Sequence, residues 1–173
     1  MFKNSKKINT QEDILYNNIL SLSRNKLFFT KFGLADTFQN KICLIFLHIS
    51  FLFTKIKQNN QKVLYKAFYQ KMFDLIFNKI ELNMREIGYG DIAVNKNMKF
   101  LVKVFYNILL NCENLNKKNL NHKEIFFFKY LEHDNTRKKG NNVHLAEYFD
   151  KYQTFCLDLS LDSVLKGDFN FNK

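Results

Sequence analysis

Arg85, Glu86 and Asp91 crowd around Gly88 and Gly90 in one short stretch, Met84-Arg85-Glu86-Ile87-Gly88-Tyr89-Gly90-Asp91-Ile92-Ala93-Val94. Two carboxylates beside a guanidinium are groups that can move protons, so acid/base catalysis is the first chemistry to weigh. That chemistry needs a nucleophile with a neighbouring base, and none can be named from the sequence. The commoner physics is an ion pair across a turn. Asp91 then accepts backbone amide hydrogens near a helix start, or pairs with Arg85, and holds the glycine loop in one shape. Gly88-Tyr89-Gly90-Asp91-Ile92-Ala93 also spells the GxGxxA dinucleotide fingerprint. The fingerprint works after a strand, where its glycines open a helix whose amides face a pyrophosphate. Here a helical pattern comes first, and Asp91 would set a negative charge beside the phosphates. Nucleotide binding is rejected.

The remaining chemistry-bearing side chains do not combine. His48, His122, His133 and His144 have no metal-ligand spacing with one another or with the cysteines, so neither a metal nor a cofactor is expected. Cys43, Cys112 and Cys156 are odd in number and far apart, which reads as buried, reduced thiols. His48 lies inside an apolar run, where a hydrogen-bonded core histidine is the expected role. No catalytic residue and no small-molecule substrate are expected.

Long helices must position the glycine stretch. Pro is absent and only 5 Gly are present among 173 residues, which removes the usual turn punctuation. Leu15, Ile19 and Leu22 mark a first helix over Asp13–Lys26. An aromatic connection with Gly33 follows, and Asp36 or Thr37 can cap a second helix to about Lys57. Lys62–Arg85 is the cleanest helix. Leu64, Phe68, Met72, Leu75, Ile76 and Ile80 form one apolar face, and Tyr65, Tyr69, Phe73 and Phe77 widen it. A face that wide predicts that this helix sits at the centre of a bundle, with the Gly88–Asp91 turn packed against the rest. Asn95 can cap a fourth helix carrying Met98, Leu101, Val102, Phe105 and Leu109. Glu124–Glu132 and Val143–Leu159 give two more, separated by a basic loop, Asp134–Asn142. The expectation is a single all-α bundle of about six helices over residues 13–165. Residues 1–12 are expected to be flexible, and 166–173 to be a frayed tail.

Composition narrows the class further. Hydrophobic residues make up 46% of the chain, with 20 Phe, which is ample for one core. Heavy use of Phe, Ile, Asn and Lys suits an AT-rich genome, so the net charge of +11 has a codon-bias explanation beside a functional one. The functional one is an anionic partner: RNA, a ribosome or a membrane surface. The lysines are dispersed, with only Arg137-Lys138-Lys139 in a tight run, which argues against one dedicated nucleic-acid stripe. Ile42–Phe53 would extend only about 18 Å as a helix, short of a hydrocarbon core of roughly 30 Å, so it reads as a buried core helix. The N-terminal stretch lacks the apolar core of a signal peptide, which makes the cytoplasm the default location.

The glycine stretch resembles the hallmark of the ubiquinol–cytochrome c chaperone family, assembly factors for respiratory complex III in alpha-proteobacteria and mitochondria. The hallmark runs as Leu-Arg-Glu-Met-Gly-Val-Gly-Asp, an apolar residue, a spacer and Val-Pro-Lys, and it falls on Met84 to Lys96. Glu81 matches an acidic residue upstream, and Phe105-Tyr106 a Phe-Tyr downstream. Gly33-Leu34-Ala35-Asp36-Thr37 and Leu47-His48-Ile49 are similar to two further family segments. The resemblance covers about residues 14–112. Asn95 replaces the family's Pro, and Asn107-Ile108 replaces Gly-Arg. What it implies is a non-catalytic all-α chaperone that binds newly made cytochrome b, in the cytoplasm and peripheral at the inner membrane. A ribosome or an anionic membrane surface would be a further contact, and a second chaperone subunit a further partner. The implied hallmark and partner-contact residues are Glu81, Arg85, Glu86, Gly88, Gly90, Asp91 and Lys96, with Asp36, His48 and Tyr106. The alternative from another class is a basic helical RNA- or ribosome-binding module, and a phospholipid-surface enzyme is a third.

Overall fold

Short polar residues decide where the helices begin. The computed structural model describes residues 10–134 and 142–171. Thr10 and Asp13 cap each other's backbone amides and open α1 (Gln11–Ser23). One helical turn, α2 (Leu27–Thr30), interrupts the aromatic connection. Thr37, not Asp36, caps α3 (Phe38–Lys57) by accepting the Asn40 amide at 3.2 Å. Next come α4 (Lys62–Glu86) and α5 (Asp91–Cys112), then a single 3-10 turn, Leu115–Lys117. Asn119 caps α6 (Leu120–Tyr130), which therefore starts four residues before the apolar pattern shows it. α7 (Asn142–Asp158) and α8 (Leu161–Lys166) finish the chain. The fold is all-α, with six helices of eleven residues or more among the described residues. The basic run Arg137-Lys138-Lys139 lies outside the described residues.

The centre of the bundle is α3, which corrects the expectation that α4 would hold that place. Every residue from Ile42 to Thr54 is buried, and α1, α4, α5 and α7 sheathe it. The physical reason is pattern: α3 is apolar all round and has no face to give to water, whereas α4 keeps a full polar edge. Tyr65, Tyr69 and Phe73 of α4 are half-buried and lie against Phe53 and Phe105. On the other side of α3, Phe28, His48 and Phe51 meet Phe149 of α7. The membrane question about this segment is answered by its burial, and no described helix is long and apolar enough to cross a membrane.

Two further expectations change. The fourth helix begins at Asp91 with Gly90 at its cap, so Asn95 is an interior helical residue. Residues 166–171 are not frayed. Gly167 closes α8 in a left-handed conformation at φ +66° and passes so near α1 that a Cβ there would lie 2.7 Å from the Leu15 nitrogen. Phe171 is buried against Tyr148, Tyr152 and Phe155. At the other terminus, Gln11 and Glu12 already belong to α1, and Glu12 pairs with Lys71 of α4 at 3.1 Å.

Candidate partner-binding site

The turn between α4 and α5 is built by its own backbone. Gly88, at φ +96°, lets its amide donate to the Arg85 carbonyl at 3.0 Å while the Tyr89 amide donates to the Met84 carbonyl at 3.0 Å. This pair of bonds satisfies two carbonyls at the end of α4 and requires a left-handed residue, which glycine supplies. Gly90 has an ordinary extended conformation at φ −73° and open space where a Cβ would stand. Neither φ nor packing demands glycine there, and its one local role is as N-cap of α5, a place glycine shares with other small residues.

Arg85 ties the turn together. Its Nη1 donates to Asp91 Oδ1 at 2.5 Å, and its Nε and Nη2 donate to Glu81 Oε1 at 3.1 and 2.9 Å. The two carboxylates, Asp91 first, push the guanidinium further above its usual range and keep it charged. Asp91 also stands in the first turn of α5, where a negative charge meets the positive end of the helix. The cluster is open to water: the side chains of Arg85 and Asp91 are 44% and 81% exposed. The turn is therefore not packed against the bundle as expected. It projects, with Ile87, Tyr89 and Ile92 exposed around it and Ile92 87% accessible.

The other expected positions scatter. Glu86 and Lys96 are exposed close to the turn. Asp36 pairs with Lys41 at 2.5 Å beside the start of α3. Tyr106 is half-exposed far along α5, its ring beside Phe73 and Phe105. His48 is wholly buried. Its Nδ1 lies 2.6 Å from the Leu44 carbonyl and 3.3 Å from Ser23 Oγ, and its Nε2 lies 2.9 Å from Tyr148 Oη. Donation from Nδ1–H to Leu44 leaves Nε2 to accept from the tyrosine. Burial lowers its pKa to about 4, so the ring is neutral and binds α3 to α7. It is a core residue, enclosed on all sides in this fold. The three cysteines are also buried and free, as expected, and burial pushes the Cys43 and Cys156 thiols up to about 12.

Two features escape sequence reasoning. Asn40 is buried, and its amide donates to the carbonyls of Ala35 at 2.8 Å and Glu132 at 2.7 Å while its Oδ1 accepts from the Glu132 amide at 2.9 Å. With the Leu34–His133 bridge, this clamps the Gly33–Thr37 segment to the end of α6. Only its polarity at the head of an apolar run hints at it. The second is an open trough of about 600 Å³ between α5 and α6, with Gln39 and Cys43 of α3 in its floor. Phe100, Val104 and Asn107 line one side, and Phe128, Lys129 and Tyr130 the other. Gln39 is shared with a smaller hollow of about 210 Å³ that Tyr89 of the hallmark turn also lines. The available signal was Phe100, an aromatic residue off the apolar stripe of α5.

The likenesses to known proteins agree with this geometry. No curated protein sequence matches the chain. The crystal structure of the Cbp3 homolog from Brucella abortus is similar with a TM-score of 0.77 at 21% sequence identity, over 94% of this chain and 89% of that one, and shares the fold. The family model described as ubiquinol-cytochrome C chaperone matches residues 30–118, half of the chain, from the clamp segment through α3, α4, the Arg85–Asp91 turn and α5. On that match the chain belongs to the ubiquinol–cytochrome c chaperone family.

Proposed function

We propose that this chain is a non-catalytic assembly chaperone that holds newly made cytochrome b during biogenesis of ubiquinol–cytochrome c reductase. The observation that carries the proposal is the hallmark turn itself. Its residues are exposed, its second glycine meets no atom and no forbidden φ, and it belongs to the family-matched half. Side chains standing on the outside of a fold, with no packing role, are suited to contacts with another molecule. Cytochrome b is an apolar membrane protein, and unassembled apolar surface is lost to aggregation and proteolysis unless something covers it. The working location is the cytoplasm, peripheral at the inner membrane where that client is inserted.

The basic charge supports an anionic surface nearby, a ribosome or a lipid headgroup layer, as a secondary contact. It does not favour RNA binding as the main activity. The lysines are spread along the sequence, with Arg137-Lys138-Lys139 a single run of three, and form no dedicated nucleic-acid stripe. The test is a deletion strain followed by haem-b spectra, complex III activity and total protein synthesis. The expected outcome is depleted haem b and complex III with other respiratory complexes and translation intact. Normal complex III with impaired translation would end the chaperone reading in favour of a ribosome-binding module.

A further inference from the structure

We propose that the trough between α5 and α6 is a docking groove for one amphipathic helix of the client, apolar on the buried side and acidic along its edge. This rests on the chaperone reading and names the surface and the chemistry of its partner. α6 packs along α7 and leaves the flank of α5 uncovered. The mouth of the resulting trough is apolar: Phe100 is 53% and Phe128 70% exposed, with Val104 between them nearly closed. Large aromatic side chains standing in water on facing walls are unusual for a surface with no partner, and they are the side chains that anchor interfaces.

The walls decide the form of the occupant. α5 and α6 use their own backbone groups internally, and the described residues hold no sheet edge to which an extended peptide could add. A helix satisfies its own backbone and so fits such a trough without a backbone partner in the walls. Charge decides its edge. At helical spacing, Lys96 and Lys103 flank the face of α5 that carries Phe100 and Asn107, and on the opposite wall Lys129 stands with Glu132 and with Glu124, one turn before Phe128. Three cations against two anions leave the rim positive, which favours an acidic helix over a basic one. Gln39 lines both this groove and the hollow under Tyr89 of the hallmark turn, so the two are neighbours on one face.

The probe is a fluorescent helical peptide of about eighteen residues, five turns, with a Leu face and Glu edges, beside an otherwise identical peptide with Lys edges. Anisotropy titrations use the full chain. The Glu-edged peptide should bind about tenfold or more tightly than its Lys-edged twin, and Phe100→Ser with Phe128→Ser should weaken it at least about tenfold. Both substitutions lie on exposed side chains, and circular dichroism checks that the fold is retained. Lys96→Glu with Lys103→Glu should reverse the preference between the two peptides. Equal binding of both peptides, or undiminished binding by the Phe100/Phe128 variant, overturns the proposal. So does loss of adhesion to phosphatidylglycerol vesicles with peptide binding unchanged, which would assign the face to lipid. In cells, a wild-type chain that fails to restore complex III to a deletion strain refutes the chaperone function. Full restoration by the Phe100/Phe128 variant refutes the groove alone.

Discussion

His48 shows how a single residue changes meaning between sequence and structure. A match to a family segment makes it a candidate contact, yet it is sealed in the core and bonded on both ring nitrogens. Its burial has a measurable consequence through proton linkage. The folded pKa of about 4 lies below the ordinary histidine value of 6.5, so the unfolded chain takes up a proton first as pH falls. The stability linked to this residue is complete above pH 6.5 and declines between about pH 6.5 and pH 4. The decline should be about 2 kcal/mol by pH 5 and of order 3 kcal/mol at the lower limit. Urea melts at pH 7 and pH 5 check this. A His48→Gln variant should be less stable at pH 7 but lose that part of the pH dependence, and an unchanged pH slope in the variant would place the titration elsewhere. The three charges of the hallmark behave in the opposite way. The expected Arg85–Asp91 pair forms, joined by Glu81 and not by Glu86, but on the outside, where screening by water leaves little for stability. The Arg85–Asp91 pair is legible because a short turn brings the two together, whereas Glu81 joins through the i,i+4 spacing of α4. Their exposure is not legible, because it depends on what α4 and α5 leave uncovered.

At the scale of elements, the sequence is most informative where one local rule acts alone and least where two elements compete for the same space. Caps illustrate the first case: Thr37 and the α4 terminus at Gly88 follow from local hydrogen bonding. The centre of the bundle illustrates the second. Both α3 and α4 carry wide apolar faces, and α3 is the enclosed one because it has no polar edge to give to water, its far side taken by an α7 layer specified outside both helices. The C-terminal end escapes the sequence for a similar reason, since a six-residue helix has no visible period and is held by a contact 149 residues away in sequence, Asn18 Nδ2 to the Gly167 carbonyl. Glycines separate these cases experimentally. Gly167→Ala combines a left-handed conformation with a Cβ 2.7 Å from the Leu15 nitrogen. It should cost about 2 kcal/mol or more, at least 1 from the backbone alone and the rest from moving α8 off α1. Gly90→Ala meets no atom and no forbidden φ and only exchanges one N-cap residue for a poorer one, so it should cost about 1 kcal/mol or less. Thermal melts of the two side by side check the contrast, and a loss in Gly90→Ala as large as in Gly167→Ala would mean that the turn is packed more tightly than its open surroundings indicate.

For the whole molecule, the family-matched half is not a structural unit. Residues 30–118 include α3 but not α6 and α7, which cover one side of it. Phe126, Phe127, Leu131, Leu145, Phe149 and Tyr152 are all buried, and Phe149 touches Phe28, His48 and Phe51. At about 2 kcal/mol for each large apolar side chain buried, these six contribute a sum comparable with the whole stability of an ordinary domain, about 5–15 kcal/mol. The clamp at Asn40 points the same way, because removing residues beyond 118 leaves its buried amide facing no Glu132 backbone. A chain of residues 1–118 should therefore keep helical circular dichroism, since α3, α4 and α5 are long and locally specified, while losing cooperative melting and gaining strong binding of a hydrophobic dye. Residues 119–173 supplied as a separate chain during expression should restore a single sharp transition and suppress the dye signal. A sharp, dye-free transition in 1–118 alone would show that α3 tolerates an open flank. The C-terminal third would then be an addition to a finished fold and not the side of the core that completes it.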